Sequence, residues 1–216
     1  MPFARRIAAC ALLVLSFSVA HATCPPQHEP AGERRFDVSG TPYLVQLCLK
    51  TPGDAGTAGK LVVMAFKGDQ PAAQATLPVD VEGEIRAVRF DTADYPIAPK
   101  MPAIPVHIEA RLRGASFDQY STDLWLLMFD GQAIQQVLAQ NVSWESWGTQ
   151  CDTDCIDTTK TRTIVVIAPE TSARGFHDLR LRTRGKVTPP GKPEAAANNV
   201  DKTTRFVFNG QAYVEK

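Results

Sequence analysis

The acidic segment between two cysteines holds the residues best suited to binding a metal ion. It reads Cys151-Asp152-Thr153-Asp154-Cys155-Ile156-Asp157. Carboxylate oxygens are the ligands that Ca²⁺ prefers in proteins, so Asp152, Asp154 and Asp157 are candidate metal ligands. The glycine and the terminal glutamate of an EF-hand loop are missing, and we favour the alternative of a polar turn closed by a disulfide. No cofactor is expected.

Two tryptophans precede this segment and are candidate binding residues. Trp144 and Trp147 flank Glu145, and aromatic side chains of this kind stack on sugars or anchor protein partners. The two positions are an odd number of residues apart, so in a flat strand their side chains point to opposite faces. We therefore expect one tryptophan in the core and the other at the rim of a binding site.

A row of basic residues alternates with leucines near the end of the chain. Arg180, Arg182, Arg184 and Lys186 would lie on one side of a strand, with Leu179 and Leu181 on the other. We favour a solvent-facing row of charges that protects a sheet edge. The functional alternative is a basic patch that docks an acidic protein or an anionic glycan.

The motifs of several common enzyme classes are missing from the sequence. It contains no P-loop, no G-x-S-x-G elbow, no H-E-x-x-H and no G-x-G-x-x-G. His28, His107 and His177 lack metal-ligand spacing, and we expect His107 on a solvent-exposed strand face. Asp91 and Asp94 are predicted as turn residues. With Asp154, they are also the candidate acids of an alternative hydrolase interpretation.

The first residues have the layout of a secretory signal peptide. Arg5 and Arg6 precede an apolar run over residues 7–20, and Ala20-His21-Ala22 fits an A-x-A cleavage site. We predict a signal peptide over residues 1–22 and a single β-rich domain over 23–216, periplasmic or secreted. No later stretch is long and apolar enough to predict a membrane span.

Charge and cysteine usage agree with an exported chain. The 216 residues include 23 basic and 23 acidic side chains, a balance that argues against nucleic acid as a partner. Four cysteines follow the leader, and an even number in an exported chain predicts disulfides. Of the three possible connectivities we choose the two local ones, Cys24–Cys48 and Cys151–Cys155.

Runs that alternate apolar and polar residues, and runs that are apolar on both faces of a strand, predict many short strands and little helix. The clearest are 43–49, 60–67, 106–113, 123–129, 161–168, 178–186 and 205–215. Residues 25–35 and 91–105 are predicted as irregular because they contain several prolines, and residues 132–140 as a strand, with a short helix as the alternative. Asp130-Gly131 and Asn209-Gly210 predict two-residue hairpin turns. The expected fold is all-β, a mostly antiparallel sandwich or barrel.

Two short segments carry family resemblances. Ser39-Gly40-Thr41-Pro42-Tyr43 resembles the S-G-x-x-Y loop of periplasmic membrane-bound/C-type lysozyme inhibitors. That resemblance implies a small β-barrel inserting this loop into an enzyme cleft. The family's second motif is missing and this chain is longer. The ending Phe206-x-Phe208-x-Gly210-x-x-Tyr213 resembles the terminal hairpin of uncharacterised proteobacterial exported proteins.

The leading functional hypothesis is an exported, non-catalytic binding domain. Its ligand would be a protein or an envelope glycan, as for inhibitors and immunity proteins. The alternatives are a carboxylate-dependent hydrolase of the cell envelope and a purely structural envelope component.

Overall fold

The computed structural model describes residues 23–50, 59–149, 156–188 and 196–216. Within these ranges the chain forms antiparallel strands and one 3₁₀ turn (Ala173–Gly175), which confirms the all-β prediction. The strands are β1 (Glu29–Val38), β2 (Thr41–Lys50), β3 (Gly59–Lys67), β4 (Gln70–Val79), β5 (Glu84–Phe90), β6 (Tyr95–Ala98), β7 (Met101–Arg113), β8 (Phe117–Phe129), β9 (Ile134–Thr149), β10 (Ile156–Thr171), β11 (His177–Val187), β12 (Asn198–Phe208) and β13 (Tyr213–Glu215).

The strands form two antiparallel sheets. The smaller has the order β1-β2-β3-β4, and the larger has the order β13-β12-β11-β10-β9-β8-β7-β5, with β6 paired to β7. Nearly every strand pairs with its neighbour in sequence, so the topology is a meander. Among the described residues, no helix has the length and apolarity needed to cross a membrane.

Two hydrophobic cores hold the structure together. The first lies between the sheets and includes Val45 and Leu61 of the small sheet with Ile108 and Leu127 of the large one. The second gathers β6, β8, β9, β11 and β12 around residues such as Tyr95, Leu124, Leu179 and Phe206. Strand β8 serves both cores, because Trp125 and Leu127 join the first while Leu124 and Leu126 join the second. This explains why its sequence is apolar on both faces.

Two segments predicted as irregular are partly strands, so those predictions are wrong. Within residues 25–35, β1 begins at Glu29, and within 91–105 the chain forms β6 and the start of β7. The prolines in these segments are the reason for the error. Pro30 and Pro105 lie at positions where a β-strand tolerates proline. Pro30 lies in an edge strand, where a missing N–H removes little. Pro105 falls between the parts of β7 that pair with β5 and with β6.

The two predicted hairpin turns exist but are longer than two residues. Phe129 pairs with Ile134, and Phe208 pairs with Tyr213, so each loop has four residues. The loops read Asp130-Gly131-Gln132-Ala133 and Asn209-Gly210-Gln211-Ala212. In each, the Oδ1 atom of the first residue accepts the backbone N–H groups of the third and fourth, at 2.8–2.9 Å. This side-chain cap favours the longer loop over a type I′ turn.

The disulfide between Cys24 and Cys48 is present, which confirms that pairing. It ties the segment before β1 to β2, where Cys48 is fully buried. The pairing of Cys151 with Cys155 lies outside the described residues. A disulfide is compatible with an oxidising compartment outside the cytoplasm.

Candidate functional site

The hairpin of β9 and β10 separates partway along its length. The two strands pair from Ile156 opposite Thr149 up to Arg162 opposite Ser143. Beyond that pair, within the described chain, β9 keeps only β8 as a neighbour and β10 keeps only β11. Val142, next to Ser143, is an extra residue in β9, inserted between the positions opposite Thr122 and Asp123 of β8. Because such a bulge bends its strand, it accounts for the separation at this point.

A groove of about 1320 Å³ lies at this separation. It is bounded by β9 and β10 and reaches β7, β11 and the segment between β5 and β6. Strand β6, which pairs with β7, also contacts β10 and β11, so it closes one end of the groove. Cations, one histidine, hydroxyl groups and Trp147 line the walls. The groove is larger and more polar than a small-molecule pocket, so it has room for an extended polar ligand.

The groove has more basic than acidic side chains. The bases are Arg89, Lys160, Arg162, Arg184 and Lys186, and the acids are Asp91 and Glu145. Three of the bases have acidic partners: Arg89 with Glu109 (2.8 Å), Lys160 with Glu145 (3.0 Å) and Arg184 with Asp201 (3.3 Å).

Two of the groove cations are left without compensation. In the parts of the chain that the structure describes, no ion pair neutralises Arg162 or Lys186. Clustered like charges in a concave surface attract ions of the opposite sign. The groove is therefore suited to a ligand that carries negative charge.

A polar cluster of Asp91, Tyr95 and His107 lies at the end of the groove near β6. The Tyr95 hydroxyl donates to Asp91 Oδ2 at 2.8 Å, and His107 Nε2 lies 3.5 Å from the same oxygen. The side chains of His107 and Asp91 are only 16% and 15% exposed. The expectation of a solvent-exposed His107 is therefore wrong, because the segment from β5 to β6 covers this face of β7.

Burial and hydrogen bonding set the ionisation of this cluster. Burial lowers the pKa of His107 more than the nearby Asp91 raises it, so the imidazole is neutral at pH 7. Burial opposes ionisation of Asp91, but hydrogen bonds from Tyr95 and from the Ala93 N–H outweigh it and hold the pKa of Asp91 below its ordinary value. Burial and the Asp91 carboxylate raise the pKa of Tyr95. The cluster therefore holds one anion beside two neutral rings.

One atom of the cluster has an unused hydrogen-bonding capacity. His107 Nδ1 is buried and has no hydrogen-bond partner among the described residues. A buried nitrogen without a partner costs free energy unless a ligand or water satisfies it. His107 lines the groove, so a ligand or water bound there reaches this nitrogen once the side chains that cover it move.

The structure describes two of the three aspartates of the hydrolase hypothesis, and their surroundings differ. Asp91 lines the groove, whereas Asp94 is 84% exposed and is held by Arg34 at 2.8 Å. The Arg34 guanidinium also donates to the Asp91 backbone carbonyl, so it ties β1 to this loop. Asp154 lies outside the described residues. The structure thus places one of these acids at the groove.

The predicted aromatic and basic residues divide between the groove and other surfaces. Trp147 lines the groove, is 40% exposed and stacks on Tyr120 at 5.4 Å, whereas Trp144 is only partly exposed and is not among the lining residues. Arg184 lines the groove. Arg182 pairs with Asp201 at 2.8 Å and Arg180 pairs with Glu170, so both charges are compensated.

The predicted metal site stays a prediction. Asp152 and Asp154 lie outside the described residues, as does the side chain of Asp157. Among the residues that the structure does describe, no cluster of histidine, cysteine, aspartate or glutamate side chains could hold a metal ion.

Sequence reasoning missed Tyr95, His107, Lys160 and Arg162 as groove residues. The signal for the last two was the alternation of bases with threonines in Thr159-Lys160-Thr161-Arg162-Thr163. No sequence pattern indicated Tyr95 or His107 as groove residues, because the burial of His107 depends on a segment that was predicted to be a loop.

The segment that resembles the lysozyme inhibitors forms a hairpin tip. Ser39 and Gly40 link β1 to β2, and the Gly40 N–H donates to Asp37 Oδ1 at 2.7 Å. Tyr43 lies in the first core, where its ring packs edge-on against Phe129 at 4.8 Å. Comparisons with protein-family models, curated proteins and solved structures found no match to this chain.

Proposed function

We propose that this chain is a binding domain, periplasmic or secreted, that holds a negatively charged ligand in the groove and does not catalyse a reaction. The Cys24–Cys48 disulfide supports a location outside the cytoplasm, because such bonds persist in oxidising compartments. The leader-like residues 1–22 support export.

The observation that carries the proposal is the charge of Arg162 and Lys186 in the groove, for which the described residues supply no ion-pair partner. A ligand carboxylate or phosphate there would gain two charge-assisted contacts. Trp147 at one wall offers a flat apolar surface, and His107 Nδ1 offers a buried hydrogen-bonding atom. Together these features suit an elongated anionic ligand, either an acidic protein segment or an acidic glycan.

A titration with two anionic polymers tests the proposal. Poly-L-glutamate represents an acidic protein segment and polygalacturonate an acidic glycan, with dextran as the neutral control. The readout is intrinsic tryptophan fluorescence at low salt and again at about 0.5 M salt, where screening is strong. Trp125 and Trp144 also emit, so the variant Trp147→Phe identifies the part of the signal that comes from the groove. The polymer is recovered afterwards, since a shortened polymer would indicate the hydrolase alternative.

Charge reversal localises the binding. The variant Arg162→Glu with Lys186→Glu is expected to bind at least about tenfold more weakly, because two favourable contacts become repulsive. The matched control is Lys60→Glu with Lys67→Glu, which makes the same charge change on exposed positions of β3. Equal weakening in both variants, or no binding of either polymer, would contradict the proposal.

A further inference from the structure

We propose that the free edge of β10, residues 163–167, docks an extended peptide segment that adds to the sheet as a strand and carries acidic and apolar side chains in turn at every second residue, along one face. This inference rests on the proposed function and names the ligand class at the same groove. Three observations carry it: the unpaired backbone, the exposed apolar side chains and the arginines around them.

The backbone of this segment pairs with one neighbouring strand instead of two. Residues 163–167 pair with β11, while pairing with β9 stops at Arg162 opposite Ser143. In an antiparallel strand the N–H and C=O groups of alternate residues point to opposite sides. Half of these groups therefore point toward the separation, where no described strand receives them. An exposed row of this kind is a template for strand addition.

The side chains of the free edge are unusually apolar for an exposed position. Ile164 is 56% exposed and Val166 is 48% exposed, the two highest values among the exposed large hydrophobic residues of the described chain. The sequence Ile164-Val165-Val166-Ile167-Ala168 is apolar on both faces, which is typical of a strand covered on both sides. Val165 and Ile167 pack against the second core, whereas Ile164 and Val166 are exposed on the other face. The side chains of a strand added at the edge would lie beside Ile164 and Val166 and reduce their exposure.

The edge also lacks the usual protection against pairing. Natural edge strands are guarded by charges, prolines or bulges. Residues 163–167 contain neither a charge nor a proline, and Pro169 follows them. Since proline cannot continue a ladder, the docked segment would end near this point.

The charges around the edge specify the partner. Ile164 pairs across the strands with Arg182, and Val166 pairs with Arg180, so these side chains share one face. Arg162 lies on the same face two positions before Ile164. The ion pairs of Arg180 and Arg182 are about half exposed, and exposed pairs exchange readily. A strand with acids between its apolar residues would match this pattern.

The same features argue against two other occupants. A second copy of this chain would bring a second Arg162, which has no ion-pair partner among the described residues, whereas an acidic peptide would supply one. A glycan would leave Ile164 and Val166 without apolar contacts and could not extend the hydrogen-bonded ladder. An acidic peptide satisfies the backbone, the apolar residues and the charges together.

The test uses a labelled peptide of about seven residues with glutamate at positions 1 and 5, valine at positions 3 and 7 and threonine between them, so that acidic and apolar side chains alternate along one face. Its control is the same peptide N-methylated at every residue, which keeps the charges but cannot donate backbone hydrogen bonds. Fluorescence anisotropy measures the affinity, and hydrogen exchange measures protection of the backbone amides of residues 163–167. We expect protection confined to that segment and at least about tenfold weaker binding of the N-methylated peptide.

A variant pair separates strand addition from charge attraction. Ile164→Lys with Val166→Lys places charges on the free edge at exposed positions, and Val214→Lys changes another exposed apolar residue on β13. The edge variant should bind the peptide about tenfold more weakly while binding poly-L-glutamate as well as, or better than, the unaltered protein. Val214→Lys should leave both affinities unchanged. Thermal melting of each variant confirms that it is folded.

Four results would overturn the inference. They are equal binding of the N-methylated peptide, no protection of residues 163–167, full peptide affinity of the edge variant, and protection of the edge by self-association without peptide. If poly-L-glutamate binds in a manner that depends on Arg162 and Lys186 while the alternating peptide does not bind, strand addition fails and the proposed function stands. If the peptide, poly-L-glutamate and polygalacturonate all fail to bind, both the inference and the proposed function fail.

Discussion

Ser143 of β9 and Arg162 of β10 face each other in the last cross-strand pair of their hairpin. The bulge at Val142 follows at once on the β9 side, and its side chain is buried in the second core. A bulge bends its strand, and this one lies at the residue where β9 and β10 stop pairing. Beyond it lies the groove, and the edge of β10 has no described partner strand on that side.

The disulfide should contribute substantially to stability. Replacing Cys24 and Cys48 by alanine is expected to lower the free energy of unfolding by about 3 kcal/mol, because the bond closes a loop with a sequence separation of 24. Urea denaturation with and without reductant measures the difference. Reductant should destabilise the unaltered protein and leave the double variant unchanged, and equal stability of both proteins in oxidising buffer would contradict this role.

His107 should make stability depend on pH in a defined window. Its folded-state pKa is lowered by burial, so the unfolded chain takes up the proton first as the pH falls. Stability is therefore fully present above the ordinary histidine pKa of about 6.5 and is lost as the pH falls through the lower folded-state value. Asp91 and Glu109 raise the pKa of His107 and Arg89 lowers it, but burial is the largest effect.

The variant His107→Gln isolates this effect. It removes the titrating group and is expected to flatten the loss of unfolding free energy as the pH falls below about 6.5. His28→Gln is the control, because His28 lies outside the groove. An unchanged pH slope in His107→Gln would show that the imidazole is not held neutral by burial.

The hydroxyl of Tyr95 should stabilise the ionised form of Asp91. Tyr95→Phe removes the 2.8 Å hydrogen bond to Asp91 Oδ2 and is expected to cost about 1 kcal/mol. It should also move the pKa of Asp91 toward its ordinary value, which carboxylate NMR titration measures. A variant with full stability and an unmoved pKa would contradict the geometry of this cluster.

Aspartate and asparagine should be interchangeable as the first residue of the two four-residue loops. Asp130→Asn is expected to be nearly neutral, because Asn209 makes the same pair of hydrogen bonds in the other loop. Asp130→Ala and Asn209→Ala should each destabilise the protein by about 1 kcal/mol, since two backbone donors lose their acceptor. Thermal melting of the three variants checks the order, and a large effect of Asp130→Asn would refute it.

Local patterns in the sequence predict the strands well and their environment poorly. The doubly apolar run in β8 predicts a buried strand, and the even cysteine count predicts the Cys24–Cys48 bond. The burial of His107 could not be predicted, because it depends on β6 and the segment before it. The exposure of Ile164 could not be predicted either. The periodicity of a sequence shows that a strand is apolar, but it does not show which strands pair with it.

The central claim is that the groove binds an anionic ligand, and NMR mapping tests it most directly. Poly-L-glutamate is titrated into isotope-labelled protein while the backbone amides and the Trp147 indole N–H are followed. The account predicts that shifts concentrate at Trp147, Arg162 and Lys186 and leave the four-stranded sheet unchanged. Shifts centred on the hairpin tip at Ser39 and Gly40, or spread evenly over the surface, would contradict it.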